Sequence, residues 1–193
     1  MMKRFVVITL FPEMFEPVLG SSMMWKAQKD QKAEFQLINL RDYGLGPRRQ
    51  VDDKPFGGGA GMLLMIEPLT KAIERARQIL PRAKVLLMTP AKTVWDQKRA
   101  QLHAKNDDDY IIVCGRYEGF DARVEGLVDE KISVGRYVLT GGELPAMIVI
   151  DSIVRLLPGV LGGGDEATAI ESYSQLDALE YPQYTRPEEY EGK

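Results

Sequence analysis

Short apolar segments alternate with amphipathic ones along most of this chain. Phe5–Leu10 is a continuous run of mainly β-branched and aromatic residues, which is typical of a buried strand. Glu67–Leu80 repeats its apolar residues every three or four positions, which indicates a helix with one buried side. The same reasoning predicts strands at Glu34–Leu40, Lys84–Met88, Tyr110–Val113 and near Lys131–Val134, and helices from Phe11-Pro12, over Val94–Lys105, from Asp121 and over Gly142–Leu157. Alternating strands and helices predict an α/β fold with a mostly parallel sheet.

Two segments do not follow this alternation. Arg41–Gly61 is predicted to be a long loop, and loops of this length inside a domain are usually functional or disordered. Gly159–Asp165 and the acidic stretch after it are typical of a linker or tail. We therefore expect one folded domain over residues 1–160 and a linker over residues 161–193.

Composition narrows the class of protein. With 45% hydrophobic and 27% charged residues, the 193-residue chain has an ordinary globular balance. No apolar run is long enough to span a bilayer, and no signal peptide is recognised at the N-terminus, so we expect no membrane partner. The single cysteine, Cys114, fits a reducing cytoplasm. With His103 as the single histidine, we expect no zinc site built from His and Cys and predict no metal ligands.

Charge is unevenly distributed, although the net charge is only −3. Residues 71–105 contain nine Lys and Arg against two acids, whereas residues 164–193 contain eight acids against two bases. The basic region could bind phosphates, or it could be a set of solvated helix faces. Charge alone leaves both interpretations open.

Three segments are rich in glycine: Pro55–Gly61 at the end of the long loop, and Cys114–Gly119 and Val134–Glu143 at the ends of predicted strands. Ligands of α/β proteins bind where strands end, and glycine lets the backbone approach a ligand closely. None of the three segments has the spacing of a P-loop or of a dinucleotide-binding loop. A ligand site is indicated, and an enzyme that binds phosphate or nucleotide through Gly57–Gly61 is one alternative.

Five motifs carry a more specific signal, and they occur in this order: FPEMF (Phe11–Phe15), DDKPFGGGAGM (Asp52–Met62), CGRYEG (Cys114–Gly119), YVLTGGELP (Tyr137–Pro145) and YPQYTRP (Tyr181–Pro187). Together they resemble the bacterial tRNA (guanine-N1)-methyltransferases of the TrmD family over residues 5–192. The resemblance implies a SPOUT-class fold with a deep C-terminal trefoil knot within residues 1–160. It also implies a cytoplasmic homodimer that uses S-adenosylmethionine to methylate the guanine at tRNA position 37, just 3′ of the anticodon.

The resemblance places the cofactor among three loops of the knot. The implied cofactor-binding residues are Met88, Thr89, Pro90, Gly115, Tyr117, Glu118, Val134, Gly135, Arg136, Tyr137, Val138, Leu139, Gly141, Gly142 and Pro145. A tight apolar slot with backbone polar groups is well suited to adenine. Judged by side chains alone, Leu87, Val138 and Leu139 are better explained as core. Arg136 departs from the family, which normally has an aspartate there.

Methylation of guanine N1 requires a base for the N1 proton and a cation near O6, where negative charge develops. The resemblance implies that Arg155 is the cation and that Glu171 stands at the position of the family's aspartate base. Glu171 is one methylene longer than aspartate, and the acids Asp165, Glu166, Asp177 and Glu180 remain alternatives. The family's use of Mg²⁺ adds a second candidate cofactor.

The tRNA anticodon stem-loop is the expected partner. Arg41, Arg48, Arg49 and Lys54 of the long loop, with the bases of residues 71–105, are candidates for phosphate contacts. The resemblance ends before the helical C-terminal domain with which the family grips tRNA. The alternative hypothesis is therefore a homodimeric S-adenosylmethionine-binding module without full tRNA methylation activity.

Overall fold

The computed structural model describes residues 2–162, 171–173 and 178–192. The strands lie at Lys3–Thr9 (β1), Ala33–Asn39 (β2), Asp52–Asp53 (β3), Leu63–Leu64 (β4), Lys84–Met88 (β5), Tyr110–Cys114 (β6) and Glu130–Ile132 (β7). Within this part of the chain, five strands form one sheet in the order β2-β1-β6-β5-β7. Every neighbouring pair in that sheet is parallel, so the predicted α/β class with a mostly parallel sheet is confirmed.

The helices are Glu16–Leu19 (α1), Ser22–Lys29 (α2), Ile66–Ile79 (α3), Gln97–Lys105 (α4) and Glu143–Val154 (α5), with 3₁₀ turns at Pro12–Met14, Leu40–Tyr43 and Ala122–Leu127. The helix predicted from Pro12 is broken into a 3₁₀ turn and two short helices, with Gly20 as the residue that ends α1. The predicted loop at 41–61 also contains structure, because β3 pairs antiparallel with β4.

The sheet is covered on both faces. Successive residues of β1 point to opposite sides, so Phe5 and Val7 enter one core and Val6 and Ile8 enter the other. The first core contains the buried sides of α2, α4 and α5, and the second contains the buried side of α3. A strand that is buried on both faces must be apolar throughout, which explains the uninterrupted apolar run of β1.

Helix α5 follows the third glycine-rich segment and packs against one face of the sheet. It begins after Gly142, and Pro145 lies in its first turn, where a missing N–H group costs no helical hydrogen bond. The residues at helical spacing that face the core are fully buried: Ala146, Val149, Ile150, Ile153 and Val154. On the opposite side, Leu144 and Ile148 are 53% and 47% exposed. This helix therefore presents apolar residues both to the core and to the surface.

Among the described residues, no helix is long and apolar enough to cross a membrane. The part of the predicted linker at residues 178–192 contains no helix or strand. The division of the chain at residues 160 and 161 stays a prediction.

Candidate active site

The register of the sheet brings three loops to one level. Met88, the last residue of β5, pairs with Cys114 at the end of β6 and with Ile132 at the end of β7. The segments that follow these three strands therefore leave the same edge of the sheet side by side. This is the edge at which open α/β sheets bind ligands.

A cavity opens between these loops and the start of α5. Fourteen of the fifteen residues that the sequence proposes for the cofactor line it: Met88, Thr89, Pro90, Gly115, Tyr117, Glu118, Val134, Gly135, Tyr137, Val138, Leu139, Gly141, Gly142 and Pro145. Six residues that are not among the proposed cofactor contacts complete the wall: Ile132 at the end of β7, and Arg116, Gly119, Phe120, Ser133 and Thr140. The residues are brought together as expected, and their role in binding stays a prediction.

Arg136 is the predicted cofactor residue that does not line the cavity. The ring of Tyr137 lies against Gly135, where a Cβ would be 2.1 Å from the Tyr137 Cε1 atom. This tight turn leaves the residue between them on the outside, and Arg136 is exposed. Its charge therefore belongs to the surface beside the cavity rather than to the cavity wall.

Two glycines allow the second and third loops to touch through their backbones. The Gly142 amide donates a hydrogen bond to the Gly115 carbonyl over 2.8 Å. A Cβ at Gly142 would lie 2.6 Å from the Gly115 nitrogen and 2.8 Å from Cys114 Cα. The absence of side chains at this crossing is thus a steric requirement of the fold.

The cavity wall combines exposed apolar groups with one carboxylate. Val138 and Leu139 are 86% and 41% exposed, so the interpretation of these two residues as core is wrong, whereas Leu87 is buried as core. Tyr117 and Tyr137 add aromatic surface, and Glu118 supplies the carboxylate. Apolar side chains that are left open to solvent around a cavity are typical of a site that a flat apolar ligand covers.

Tyr117 connects the cavity to the long loop. Its φ of +58° is unusual for a bulky residue, and such backbone strain concentrates at functional sites. Burial raises the pKa of the Tyr117 hydroxyl, and the nearby Asp52 carboxylate raises this pKa further. The long loop that contains Asp52 is thereby tied to the second cavity loop.

The first glycine-rich segment, Pro55–Gly61, does not line this cavity but lies next to it. A Cβ at Gly61 would be 2.3 Å from the Cγ atom of Glu118, and Gly61 has a φ of +78°. The Glu118 amide also donates to the Met62 carbonyl over 3.0 Å. Two of the three glycine-rich segments therefore form the cavity, and the third supports it from outside.

A buried ionic group lies behind the third loop, and no pattern in the sequence indicates it. Glu143, the first residue of α5, is 0% exposed. Its Oε1 atom accepts a 2.8 Å hydrogen bond from the Thr9 hydroxyl. Its Oε2 atom lies 2.9 Å from Arg116 Nε, in an ion pair whose N–H group is not aligned as in a hydrogen bond. An acid that starts a helix is normally solvated, so nothing in the sequence distinguished this one.

The two predicted catalytic residues contact each other. Arg155 Nη1 and Nη2 donate to the two carboxylate oxygens of Glu171 over 2.9 Å and 2.5 Å. Gln97, at the start of α4, donates to Glu171 Oε1 over 3.1 Å. The Glu171 carboxylate raises the pKa of the Arg155 guanidinium. Bidentate pairs of this kind fix the relative orientation of both side chains.

This pair and the cavity lie at opposite ends of α5. Gly142 lines the cavity, and Arg155 follows the helix thirteen residues later, about 20 Å along the helix axis. That distance is far longer than any side chain. Within one chain, the Arg155–Glu171 pair therefore cannot act on a ligand that is held in the cavity.

The alternative acids do not form a second site in the described residues. Glu180 is exposed, and its side chain accepts a hydrogen bond from Gln183. Asp165, Glu166 and Asp177 lie outside the described residues. No group of three His, Cys, Asp or Glu side chains that could hold a metal ion is found in the part of the chain that the structure describes.

Several of the candidate phosphate-binding bases already form ion pairs. Lys84 Nζ lies 2.8 Å from Asp108, Arg99 contacts Glu130, and Arg49 Nη1 lies 2.9 Å from Asp42. The basic region of residues 71–105 is thus partly neutralised. Whether it contacts RNA stays a prediction.

Comparison with known proteins gives consistent results. The model of the family "tRNA (Guanine-1)-methyltransferase TrmD" matches residues 2–193. The tRNA (guanine-N(1)-)-methyltransferase of Bacillus subtilis is 48% identical over 96% of this chain and 76% of its own length. The protein of the same name from Desulfitobacterium hafniense is 47% identical over 98% of this chain and 71% of its own length. The crystal structure of tRNA (m1G37) methyltransferase from Aquifex aeolicus is similar with a TM-score of 0.82 and 37% identity, over 100% of this chain and 79% of that one.

Proposed function

Because the chain belongs to the TrmD family of tRNA (guanine-1)-methyltransferases, we propose that it transfers a methyl group from S-adenosylmethionine to N1 of a guanine in tRNA. The similar Aquifex aeolicus protein is an m1G37 methyltransferase, and we assign position 37, just 3′ of the anticodon, as the target. The observation that carries the proposal is the cavity at the carboxyl ends of β5, β6 and β7. With tRNA as its substrate, the enzyme works in the cytoplasm.

The cavity residues fit S-adenosylmethionine. Backbone groups of the loops after Met88, Cys114 and Ile132 can bind the edge of adenine, while Val138 and Leu139 can cover its faces. The Glu118 carboxylate can attract the positive charge of the methionine part. When bound, S-adenosylmethionine supplies an electrophilic methyl group on a positively charged sulfur.

The Arg155–Glu171 pair matches the edge of guanine that reacts. Guanine presents the acceptor O6 beside the donor N1–H, and the pair presents N–H donors beside carboxylate oxygens. When a guanine enters between Arg155 and Glu171, the hydrogen bonds between these two residues break, and each residue forms a new hydrogen bond to the guanine. Arg155 then donates to O6, and Glu171 accepts the N1 proton. Gln97 holds the Glu171 carboxylate in place during this exchange.

The proton balance of the step follows from this arrangement. Glu171 takes the N1 proton, and the electron pair left on N1 forms the bond to the methyl carbon. S-adenosylmethionine would supply this methyl carbon, and its sulfur would keep the electron pair of the carbon–sulfur bond and become neutral. Arg155 stabilises the negative charge that develops on O6, which is the contribution expected of a preorganised cation.

Two copies of the chain are needed to bring this pair to a cavity, and we propose a symmetric homodimer. The reacting atoms must approach to about 3 Å, which the distance along α5 forbids within one chain. The exposed residues Leu144 and Ile148 give α5 an apolar surface, and Trp25 on α2, a helix that packs on the same core, is 50% exposed. A two-fold interface on these helices would let the cavity of one subunit face the Arg155–Glu171 pair of the other.

The trefoil knot is also a proposal. It is supported by the backbone contact between Gly142 and Gly115, where the third loop passes directly against the second. Glycine at both positions lets two chain segments cross this closely. The SPOUT fold of the family has this crossing at its cofactor loops.

The experiment that tests the reaction is single-turnover methylation of unmodified tRNA with guanine at position 37. The parent protein should methylate this tRNA and should not methylate the same tRNA with adenine at position 37. Cofactor binding without methylation would instead favour a binding module. The assay is run across a magnesium titration, because a Mg²⁺ requirement is part of the same proposal.

Glu171→Gln tests the assignment of the base. Glutamine keeps the shape and can accept one of the two hydrogen bonds from Arg155 but cannot take the proton, so the rate should fall by about 10²–10⁴-fold. Calorimetry should give an unchanged affinity for S-adenosylmethionine, since Glu171 lies far from the cavity of its own subunit and touches guanine rather than the donor. Glu180→Gln is the matched control and should keep the parent rate. Rescue of Glu171→Gln by excess magnesium would assign Glu171 to metal binding instead.

A further inference from the structure

The buried Glu143 has no part in the reaction described above, although it lies directly behind the cavity. Its partner Arg116 lines the cavity, and the Arg116 guanidinium lies 4.4 Å from the centre of the Phe11 ring. Gly141, which also lines the cavity, lies directly against this ion pair. A Cβ at Gly141 would be 2.4 Å from Arg116 Nε and 2.6 Å from Glu143 Oε2.

An arginine at this position is unfavourable for a cationic ligand unless its charge is balanced. Arginine side chains carry a positive charge in proteins, and the side chain of Arg116 is only 19% exposed. Two like unit charges about 10 Å apart in a partly buried protein site repel each other enough to weaken binding by about tenfold. Glu143 lies at 2.9 Å from Arg116 and contributes the compensating negative charge.

We propose that Glu143 is a specificity-determining residue, which neutralises Arg116 and thereby allows the cavity to accept a ligand with a positively charged sulfur. This inference rests on the proposed function, because it takes S-adenosylmethionine as that ligand. Thr9 orients the carboxylate through its hydroxyl, which itself accepts a 3.0 Å hydrogen bond from the Phe11 amide. Glu143 acts on the ligand through charge and makes no contact with it.

Two ligands separate this role from a purely structural one. S-adenosylmethionine has a sulfonium, and S-adenosylhomocysteine has a neutral thioether at the same place, while their remaining groups carry the same charges. Isothermal titration calorimetry should show that Glu143→Gln weakens the binding of S-adenosylmethionine by a factor about ten times larger than the binding of S-adenosylhomocysteine. Thr9→Val is the control, since it removes the contact to Glu143 and keeps the charge. It should change both affinities by the same factor.

Equal weakening of both ligands by Glu143→Gln would overturn the proposal, because a distorted cavity does not distinguish the two sulfurs. If Glu143→Gln does not fold, Arg116→Gln is measured at pH 9 instead. The unbalanced Glu143 carboxylate should then shift the affinity ratio towards S-adenosylmethionine, and an unchanged ratio would overturn the proposal. A parent protein that binds neither ligand contradicts the proposed function itself, which is a different and recognisable outcome.

Discussion

Replacing Gly142 with alanine is a direct test of the crossing between the second and third loops. The new Cβ would lie 2.6 Å from the Gly115 nitrogen, 2.8 Å from Cys114 Cα and 2.9 Å from Met88 Cβ. The first two of these atoms belong to the backbone and cannot move aside as a flexible side chain would. Overpacking usually costs about 1–3 kcal/mol, and we expect Gly142→Ala to lie at the upper end of that range.

The expected effect is large enough to measure by thermal denaturation. About 3 kcal/mol corresponds to a fall in Tm of about 6–12 °C for a domain of this size. Gly126→Ala is the matched control, because a Cβ at Gly126 meets no atom within 4 Å and should leave Tm nearly unchanged. Gly142→Ala should also abolish binding of S-adenosylmethionine in calorimetry. A variant with the parent Tm and the parent affinity would refute the close backbone contact.

Three further predictions concern assembly, pH and RNA. Leu144→Asp should convert a dimer into a monomer of 21.7 kDa in light scattering, whereas Leu102→Asp, on the exposed side of α4, should leave the mass unchanged. Burial lowers the pKa of His103, so the unfolded chain binds a proton at a higher pH than the folded one, and stability should fall as the pH drops below about 6.5. Denaturation of His103→Gln between pH 7 and pH 5.5 should show a smaller loss. Affinity for tRNA should fall with salt, with log K decreasing by about 0.7–0.9 per phosphate contact for each decade of salt, and a flat dependence would exclude the basic residues as phosphate ligands.

The fold was predictable from the sequence wherever one local pattern decided it. Lys84–Met88 is a strand with the predicted bounds, because a short apolar run between polar residues has few other ways to be buried. The hairpin formed by Asp52–Asp53 and Leu63–Leu64 was not predicted, since strands of two residues are too short to show an alternation of apolar and polar residues. The helix expected from Pro12 is interrupted because Gly20 and its neighbours favour chain reversal over helix continuation.

The candidate site was predictable as a set of loops and less so as a set of contacts. Glycine content identified the segments that surround the cavity, because segments whose backbones approach closely are rich in glycine. The ion pair of Glu143 with Arg116 joins residues far apart in the sequence, and each of them alone resembles a surface charge. The exposure of Val138 could not be predicted either, since the identity of a valine in a loop does not indicate whether it packs in the core or lines a cavity.

The position of β1 between β2 and β6 has a consequence for synthesis of the protein on the ribosome. Phe5 pairs with Phe35 on one side and with Tyr110 on the other, so one neighbour of this strand is made soon after it and the other only past the middle of the chain. At typical synthesis rates of 5–20 residues per second, Tyr110 follows Phe5 by about 5–20 s. From the synthesis of β2 until that of β6, the nascent chain holds an apolar strand with one unpaired edge. The sheet therefore cannot close around β1 until β6 has been made, and until then the open edge is exposed to pairing with other chains.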